Sequence, residues 1–224
     1  MRDHKVIQVF AGVVMLGSVI AMTVTLQGGF APGIDSHPPA ASGWGAARET
    51  LSRLKSGGQV VVITRDTSEF KNPATDLQLA SFRKELRRAN VKLDSIHLLQ
   101  TDPLRPLEVP PGDFVDCLHK APPGSVIVSF MGPPVLSAVQ KKQLGEIQSA
   151  VVAFCPGGLT ERIKLQPLFE QALLQAAIVS RKGPLPVAKS NNLQGWFDQN
   201  YLVVTPANAG DLAADHEAKT LAAR

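Results

Sequence analysis

The sequence predicts an α/β fold, namely a single three-layer Rossmann-like domain with a mainly parallel sheet, preceded by one transmembrane helix. Three observations lead to this prediction. Short β-branched runs alternate with segments of helical period, several of these runs are apolar at consecutive positions, and a long uncharged segment lies near the N-terminus. Strands that are apolar at every position are covered on both faces, and strands that alternate with helices form mainly parallel sheets.

The transmembrane helix is predicted from residues 6–26, which carry no charged side chain. About 20 apolar residues suffice to cross a membrane as a helix, whereas a cleaved signal peptide has a shorter apolar region. Arg2 and Lys5 precede the segment, and the next cation is Arg48. Because cations stay on the cytoplasmic side, we expect a signal anchor in the inner (cytoplasmic) membrane, with residues 1–5 in the cytoplasm and the C-terminal domain in the periplasm.

The regions between the anchor and the C-terminus differ in composition. Residues 27–45 are rich in Gly, Pro and Ser without a hydrophobic period, which predicts a flexible linker. Residues 46–206 contain the alternating strands and helices of the predicted α/β domain. The Ala-rich residues 207–224 are predicted to be a tail, either a frayed helix or a disordered end.

The elements of the domain follow from the apolar patterns in chain order. Strands are predicted at Gln59–Thr64, Leu93–Gln100, Ser125–Phe130, Ala150–Phe154, Ala176–Ser180 and Tyr201–Thr205. Helices are predicted at Ala46–Lys55, Asp76–Ala89, Pro111–Lys120, Val135–Gln148 and Leu159–Leu174, the last interrupted at Pro167. The clearest is the second helix, for which Thr75 is the predicted N-cap and Asn90 the predicted end.

Ligands of parallel sheets bind beyond the carboxyl ends of the strands, where the strand order reverses. Arg65, Asp66 and Thr67 stand at the end of the first predicted strand. An Arg in this place can donate two hydrogen bonds to a carboxylate or to a pair of hydroxyls. Alternatively, Arg65 pairs at the surface with Asp66 or Glu69.

Two further strand ends supply candidate ligand-binding residues. Gly157 and Gly158 follow the fourth strand in a Pro-Gly-Gly turn, whose backbone N–H groups could bind an anion if the turn is not simply a connector. Arg181 follows the fifth strand.

The order and texture of these segments resemble one lobe of the type 1 periplasmic binding proteins, the sugar-binding components of bacterial ABC importers and their LacI-type relatives. The similarity runs through GQVVVITRD, SVIVSFMGPPVLSAVQ, SAVVAFCPGGLTER and NYLVVTPAN. Family members have two lobes joined by a hinge and trap the ligand between them. The resemblance implies further ligand-binding positions after the third strand, at Met131 and Gly132, and after the fourth, at Cys155, where the family carries polar residues.

The sequence thus favours a membrane-anchored extracytoplasmic domain that recognises a small solute and does no chemistry. A structural or interaction protein, which binds a partner or a second copy through the strand-end face, is the first alternative, and an enzyme of unrecognised type is the second. No catalytic residue, metal site or cofactor is predicted, because the five His residues are scattered. No nucleic acid is expected as a partner, because the net charge of +4 is spread along the chain. The basic run Arg83–Arg88 is predicted to be a solvated helix face.

The sequence does not determine whether its two cysteines form a disulfide bond. Cys117 shares a helical stripe with Phe114 and Leu118, which predicts that it packs inward. Cys155 follows a strand, and an oxidising compartment would permit a bond between the two.

Overall fold

The computed structural model describes residues 35–100, 109–145, 147–157, 159, 163–181, 190 and 192–210. The described residues from Ser36 onward belong to one compact unit. The described strands are β1 (Val60–Arg65), β2 (Leu93–Leu99), β3 (Val126–Ser129), β4 (Ala150–Cys155), β5 (Ala176–Ser180) and β6 (Tyr201–Val204). The described helices are α1 (His37–Arg53), α2 (Pro73–Arg88), α3 (Pro111–Lys120), α4 (Ala138–Leu144), α5 (Gln166–Glu170) and α6 (Leu193–Asn200).

The strands form one six-stranded sheet in the order β2-β1-β3-β4-β5-β6. All neighbouring pairs are parallel except β5 and β6, which are antiparallel. The chain leaves β1 toward β2 and then returns to the other side of β1, so the strand order reverses between β1 and β3. This arrangement confirms the predicted α/β class with a mainly parallel sheet.

Both faces of the sheet are buried, which explains why the strands are apolar at consecutive positions. Alternate strand residues such as Val62 and Val128 face a core shared with α1, α2 and α6. The residues between them, such as Ile63 and Ile127, face a second core shared with α3, α4 and α5. The molecule therefore has the three layers that the sequence predicts.

Helix α2 begins three residues earlier than expected. Its N-cap is Asn72, whose side-chain Oδ1 accepts a hydrogen bond from the Thr75 N–H at 3.2 Å. The prediction of Thr75 as the cap is therefore wrong. Asn90 adopts a positive φ of 56° immediately beyond the helix, which is the conformation that Asn tolerates at a helix end.

Helix α1 corrects the predicted boundary of the flexible linker. Residues 37–45 are helical, and several of them are buried. A Cβ on Gly43 would lie 2.0 Å from the carbonyl oxygen of Gln78, and one on Gly45 would lie 1.9 Å from the ring of Phe197. The glycines of this segment therefore serve close packing of α1 against α2 and α6, so the linker prediction is wrong for residues 37–45.

Three other helix predictions change in extent. The expected helix Val135–Gln148 is confined to α4, which starts at a capping box formed by Ser137 and Gln140. The predicted interruption of the helix Leu159–Leu174 at Pro167 is confirmed, because the five-residue α5 begins at Gln166 with this proline in its first turn. The predicted extent to Leu174 is wrong, because α5 ends at Glu170 and the chain turns at Ala172, where φ is 53°. Helix α6 was not expected, because its eight residues offer too short a periodic pattern.

No helix among the described residues is long and apolar enough to cross a membrane. The transmembrane segment predicted at residues 6–26, the cytoplasmic residues 1–5 and most of the predicted tail lie outside the described residues.

We expect Gly43→Ala to lower the free energy of unfolding by about 2 kcal/mol, because the added methyl group forces α1 away from the α2 backbone. Urea denaturation of the full chain, followed by circular dichroism, measures this change. Gly112→Ala is the matched control, since a Cβ on this helical glycine meets no atom within 4 Å. Equal stabilities of the two variants would show that α1 and α2 do not approach so closely.

Candidate functional site

A cavity of about 300 Å³ opens at the carboxyl ends of the strands, on the side of the sheet covered by α1 and α2. It lies next to the point where the strand order reverses, which is the expected ligand position in such a sheet. The described lining comprises Pro38, Pro39, Ser42, Thr64, Arg65, Asn72, Ala74, Thr75, Gln78, Phe130, Met131, Phe154, Pro156 and Tyr201.

The polar groups of the α1 wall are hydrogen-bonded within the protein. The Ser42 hydroxyl donates to the carbonyl of Pro39 at 2.8 Å and accepts from Gln78 Nε2 at 2.8 Å. The Tyr201 hydroxyl donates to the carbonyl of Pro38 at 3.2 Å, and burial raises the pKa of Tyr201. These bonds fix the first turns of α1 against α2 and β6, and they leave the wall with few groups to offer a ligand.

Arg65 is the cation of the cavity. It ends β1 and is half-buried, and its guanidinium makes no hydrogen bond or ion pair with the described residues. The first turn of α2, at Asn72, Ala74 and Thr75, lines the same cavity, so the positive end of that helix dipole adds to the guanidinium charge. This side of the cavity therefore favours an anionic group.

The remaining lining is apolar. Phe130 and Phe154 lie beside Met131 and Pro156 at the ends of β3 and β4. The Phe130 ring is held by an edge contact with Phe82, with centroids 5.4 Å apart. The cavity thus combines one charged group with an apolar floor.

Asp66 and Thr67 lie beyond Arg65 and do not line the cavity. The Asp66 carboxylate accepts a hydrogen bond from the Ser68 N–H at 2.9 Å, and this bond lowers the pKa of Asp66. The Thr67 hydroxyl donates to Asp76 at 3.1 Å. Both side chains therefore have local structural partners, and Arg65 forms the predicted surface ion pair with neither Asp66 nor Glu69.

Met131 and Gly132 form a tight turn after β3. The Ser129 hydroxyl donates to the Gly132 carbonyl at 2.6 Å and accepts from the Met131 N–H at 3.3 Å. Gly132 has a φ of 93°, and a Cβ there would lie 2.5 Å from a methyl carbon of Leu159. Met131 lines the cavity but is almost wholly buried, whereas Gly132 serves the turn.

Cys155 and Gly157 follow β4 but do not line the cavity. The Cys155 side chain is buried in the core on the opposite face of the sheet, where burial raises the pKa of its thiol to about 12. Gly157 has a φ of 56°, and its N–H donates to the Ser180 hydroxyl at 3.3 Å. Gly158 lies outside the described residues.

Arg181 directly follows β5, and its side chain forms hydrogen bonds with backbone carbonyls. Its Nε donates to the carbonyls of Asp198 and Tyr201 at 2.8 and 3.0 Å. These bonds attach the end of β5 to α6 and the start of β6, which accounts for the guanidinium without a ligand.

Both cysteines are free and buried. Burial, with a smaller contribution from the nearby carboxylate of Asp113, raises the pKa of the Cys117 thiol to about 11. Among the described residues, no group of three His, Cys, Asp or Glu side chains could hold a metal ion.

The sequence reasoning identified Arg65 and Met131 but missed most of the other lining residues. Ser42 and Pro38 lie in a segment whose composition predicts a linker, and Gln78 lies within the second predicted helix, where the sequence does not distinguish it from its neighbours. The single Tyr of the chain, Tyr201, was the available signal, because a buried hydroxyl needs a partner from another element.

Comparison with solved structures shows the fold. A periplasmic ribose ABC transporter structure from Conexibacter woesei matches with a TM-score of 0.51 at 11% identity, over 79% of this chain and 60% of that one. A protein from Mycobacterium smegmatis matches with a TM-score of 0.51 at 13% identity, over 84% and 63% of the two chains. The arabinose-binding protein AraP from Geobacillus stearothermophilus gives 0.49 at 15% identity, over 77% and 62%.

The match to the ribose transporter structure, with its TM-score of 0.51, confirms the resemblance to the type 1 periplasmic binding proteins at the level of fold. This chain spans between 60% and 63% of the length of these three solved structures. Neither a family model nor a curated protein sequence matches the chain.

The buried thiol of Cys155 makes the stability depend on alkaline pH. Its pKa is raised in the folded chain from 9.0 to about 12, so the stability present below pH 9 is lost as the pH rises toward the folded value. Relative to Cys155→Val, the parent chain should lose about 1 kcal/mol of unfolding free energy per pH unit above 9. Urea titrations from about pH 8 to about pH 10.5 measure the difference. A constant difference would mean that Cys155 is exposed.

Proposed function

We propose that this chain is an extracytoplasmic recognition domain that binds a small solute in the cavity at the strand ends. The observation that carries the proposal is Arg65, a half-buried cation that lines the cavity and has no partner among the described residues. A guanidinium withdrawn from water is costly to leave unpaired, so an anionic ligand gains from pairing with it.

The chemistry of the lining selects the ligand. A sugar needs many free polar groups, since each buried hydroxyl without a partner costs on the order of 1–3 kcal/mol. Here Ser42 and Gln78 are already bonded to each other, and Phe130 and Phe154 form an apolar floor. The proposed ligand is a small molecule with one carboxylate, held by Arg65, and an apolar body.

Recognition without catalysis is the function that the lining favours. Its described residues include no Asp, Glu, His, Cys or Lys, so no side chain there has a pKa suited to proton transfer near neutral pH. An enzyme would therefore need reacting groups from a partner or from the substrate itself.

The proposed location is the outer side of a bacterial inner membrane, with residues 6–26 as the anchor. The uncharged length of this segment and the cations before it support the proposal. The ribose transporter structure with the same fold is described as periplasmic, which is consistent with this location.

We expect Arg65→Gln to weaken binding of a small apolar carboxylate at least about tenfold, because the amide cannot form the charge-assisted pair. A panel of branched-chain and aromatic monocarboxylates, and the matching primary alcohols, is titrated into the full chain in detergent and followed by calorimetry. Lys142→Gln, which removes one exposed charge from α4, is the control for net charge.

The results distinguish the parts of this proposal. Tighter binding of carboxylates than of alcohols, lost in Arg65→Gln and kept in Lys142→Gln, supports it. Binding that is insensitive to Arg65→Gln would contradict the assigned site, and an absence of binding across the panel would contradict the ligand class.

A second candidate function is protein interaction through the strand-end face. Four large apolar side chains near the carboxyl ends of β1, β2 and β3 are exposed: Phe70 by 64% in the segment after β1, Leu98 by 55% within β2, Val135 by 50% after β3 and Val139 by 65% in the first turn of α4. Exposed apolar side chains gathered on one side of a domain are typical of partner surfaces. In the two-lobed proteins that the fold resembles, this face meets the second lobe.

If this face pairs with a second copy of the chain, sedimentation of the full chain in detergent should show a dimer. The double variant Phe70→Ser/Val139→Ser should shift the chain to a monomer, because it removes two apolar contacts from the interface. The control is Lys142→Ser, because Lys142 is exposed. Leu51→Ser is unsuitable, because Leu51 packs against the core and its loss would lower stability. A monomer at every concentration would exclude self-association.

A further inference from the structure

A second groove, of about 400 Å³, lies at the opposite end of α2, where this helix faces the edge strand β2. Its floor is apolar and consists of Leu86, which is 1% exposed, together with the half-buried Val91, Leu93 and Ile96. The groove is remote from the cavity that contains Arg65, with which it shares no lining residue.

The backbone of β2 is open on the groove side. Among the described strands, β2 pairs only with β1. The Leu99 carbonyl accepts the Asp66 N–H at 2.9 Å, so Leu99 and alternate residues before it face β1. The backbone groups of Ile96 and Leu98 therefore point outward, where an added strand could bond to them.

The rim of the groove is positively charged. Arg83, Arg87 and Lys92 are exposed there and form no ion pair with the described residues, whereas Asp94 is the one carboxylate of the described lining. Arg83 and Arg87 belong to the basic run for which the sequence predicts a solvated helix face, and both are exposed. Because these cations lie along the edge of β2 that pairs with no described strand, they could also bind a partner of negative charge.

The edge is protected against pairing with a second copy of itself. The register between β1 and β2 shifts after Val60, which pairs with Leu93 while Val61 pairs with Ser95, so Asp94 is an extra residue. Such bulges and edge charges discourage the pairing of two identical edges. A second copy would also place its Lys92, Arg83 and Arg87 near the same cations of the first copy, and the like charges would repel. The charge pattern thus selects an acidic partner.

We propose that the α2–β2 groove binds an extended acidic peptide segment of another protein, which adds to the sheet beside β2. Its backbone bonds to the outward groups of Ile96 and Leu98, its apolar side chains cover Leu86 and Val91, and its carboxylates meet Arg83 and Arg87. Strand addition of this kind draws affinity from backbone bonds and specificity from alternate side chains.

The test uses fluorescent peptides of about eight residues, the length of an ordinary strand. The first peptide alternates Glu and Val, and the second alternates Lys and Val. The third is the Glu–Val peptide with every second backbone amide N-methylated. It is prepared in two versions, one methylated at the odd-numbered residues and the other at the even-numbered residues. Each is titrated into the full chain in detergent, and fluorescence anisotropy reports binding. Amide resonances of Ile96 and Leu98 report the position of the peptide.

We expect the Glu–Val peptide to bind, the Lys–Val peptide to bind at least about tenfold more weakly, and one N-methylated register to lose binding. Arg83→Glu/Arg87→Glu should abolish binding, while Lys84→Glu, an exposed residue of α2 outside the groove, should weaken it far less. Unchanged urea midpoints for these variants show that the fold is kept.

Several results would overturn the proposal. These are equal binding of the two charge types, binding that survives N-methylation in both registers, and no binding of the acidic peptide. Capture of single-stranded oligonucleotides or anionic vesicles in preference to the peptide would instead identify a surface for polyanions.

Discussion

The close approach of α1 and α2 is the contact on which the rest of this molecule depends. At Gly43 the two helices come so near that only a hydrogen atom fits between α1 and the carbonyl of Gln78. One residue away, Ser42 accepts a hydrogen bond from the Gln78 side chain. Because Ser42 and Gln78 also line the cavity, the same contact closes one layer of the fold and sets the width of the candidate site.

The sheet could be predicted from sequence because its determinants are local. Val60–Ile63 and Val151–Ala153 are short runs, rich in β-branched residues, that are apolar at every position, and this pattern is typical of a strand covered on both faces. The helices were predicted less well. A Gly-, Pro- and Ser-rich segment indicates flexibility when read alone, but in α1 the small residues permit contacts with Gln78 and Phe197, which lie far away in sequence. The residues next to these glycines in the sequence do not indicate such a long-range contact.

The candidate site also combines features that the local sequence indicates with features that it does not. Arg65 could be located because it ends a strand whose position was clear, and carboxyl ends of parallel strands are where ligands bind. Cys155 and Arg181 also stand at strand ends, yet one turns into the core and the other holds the carbonyls of Asp198 and Tyr201. Cys155 faces the same core as Val151 and Ala153, because alternate side chains of a strand share a face. The partners of Arg181 lie in α6 and β6, which are distant in sequence, so the sequence alone does not indicate them.

The hydrogen bond from Tyr201 to Pro38 joins the first described helix to the last strand. His37 and Trp196 stack across the same junction, with ring centroids 4.9 Å apart. During synthesis, therefore, α1 can pack against α2 early, but its contacts with Trp196 and Tyr201 form only after α6 and β6 have been made. The parallel strands can collapse while the chain is still growing, whereas the wall that Tyr201 contributes to the candidate cavity forms only when β6, the last described strand, has been made.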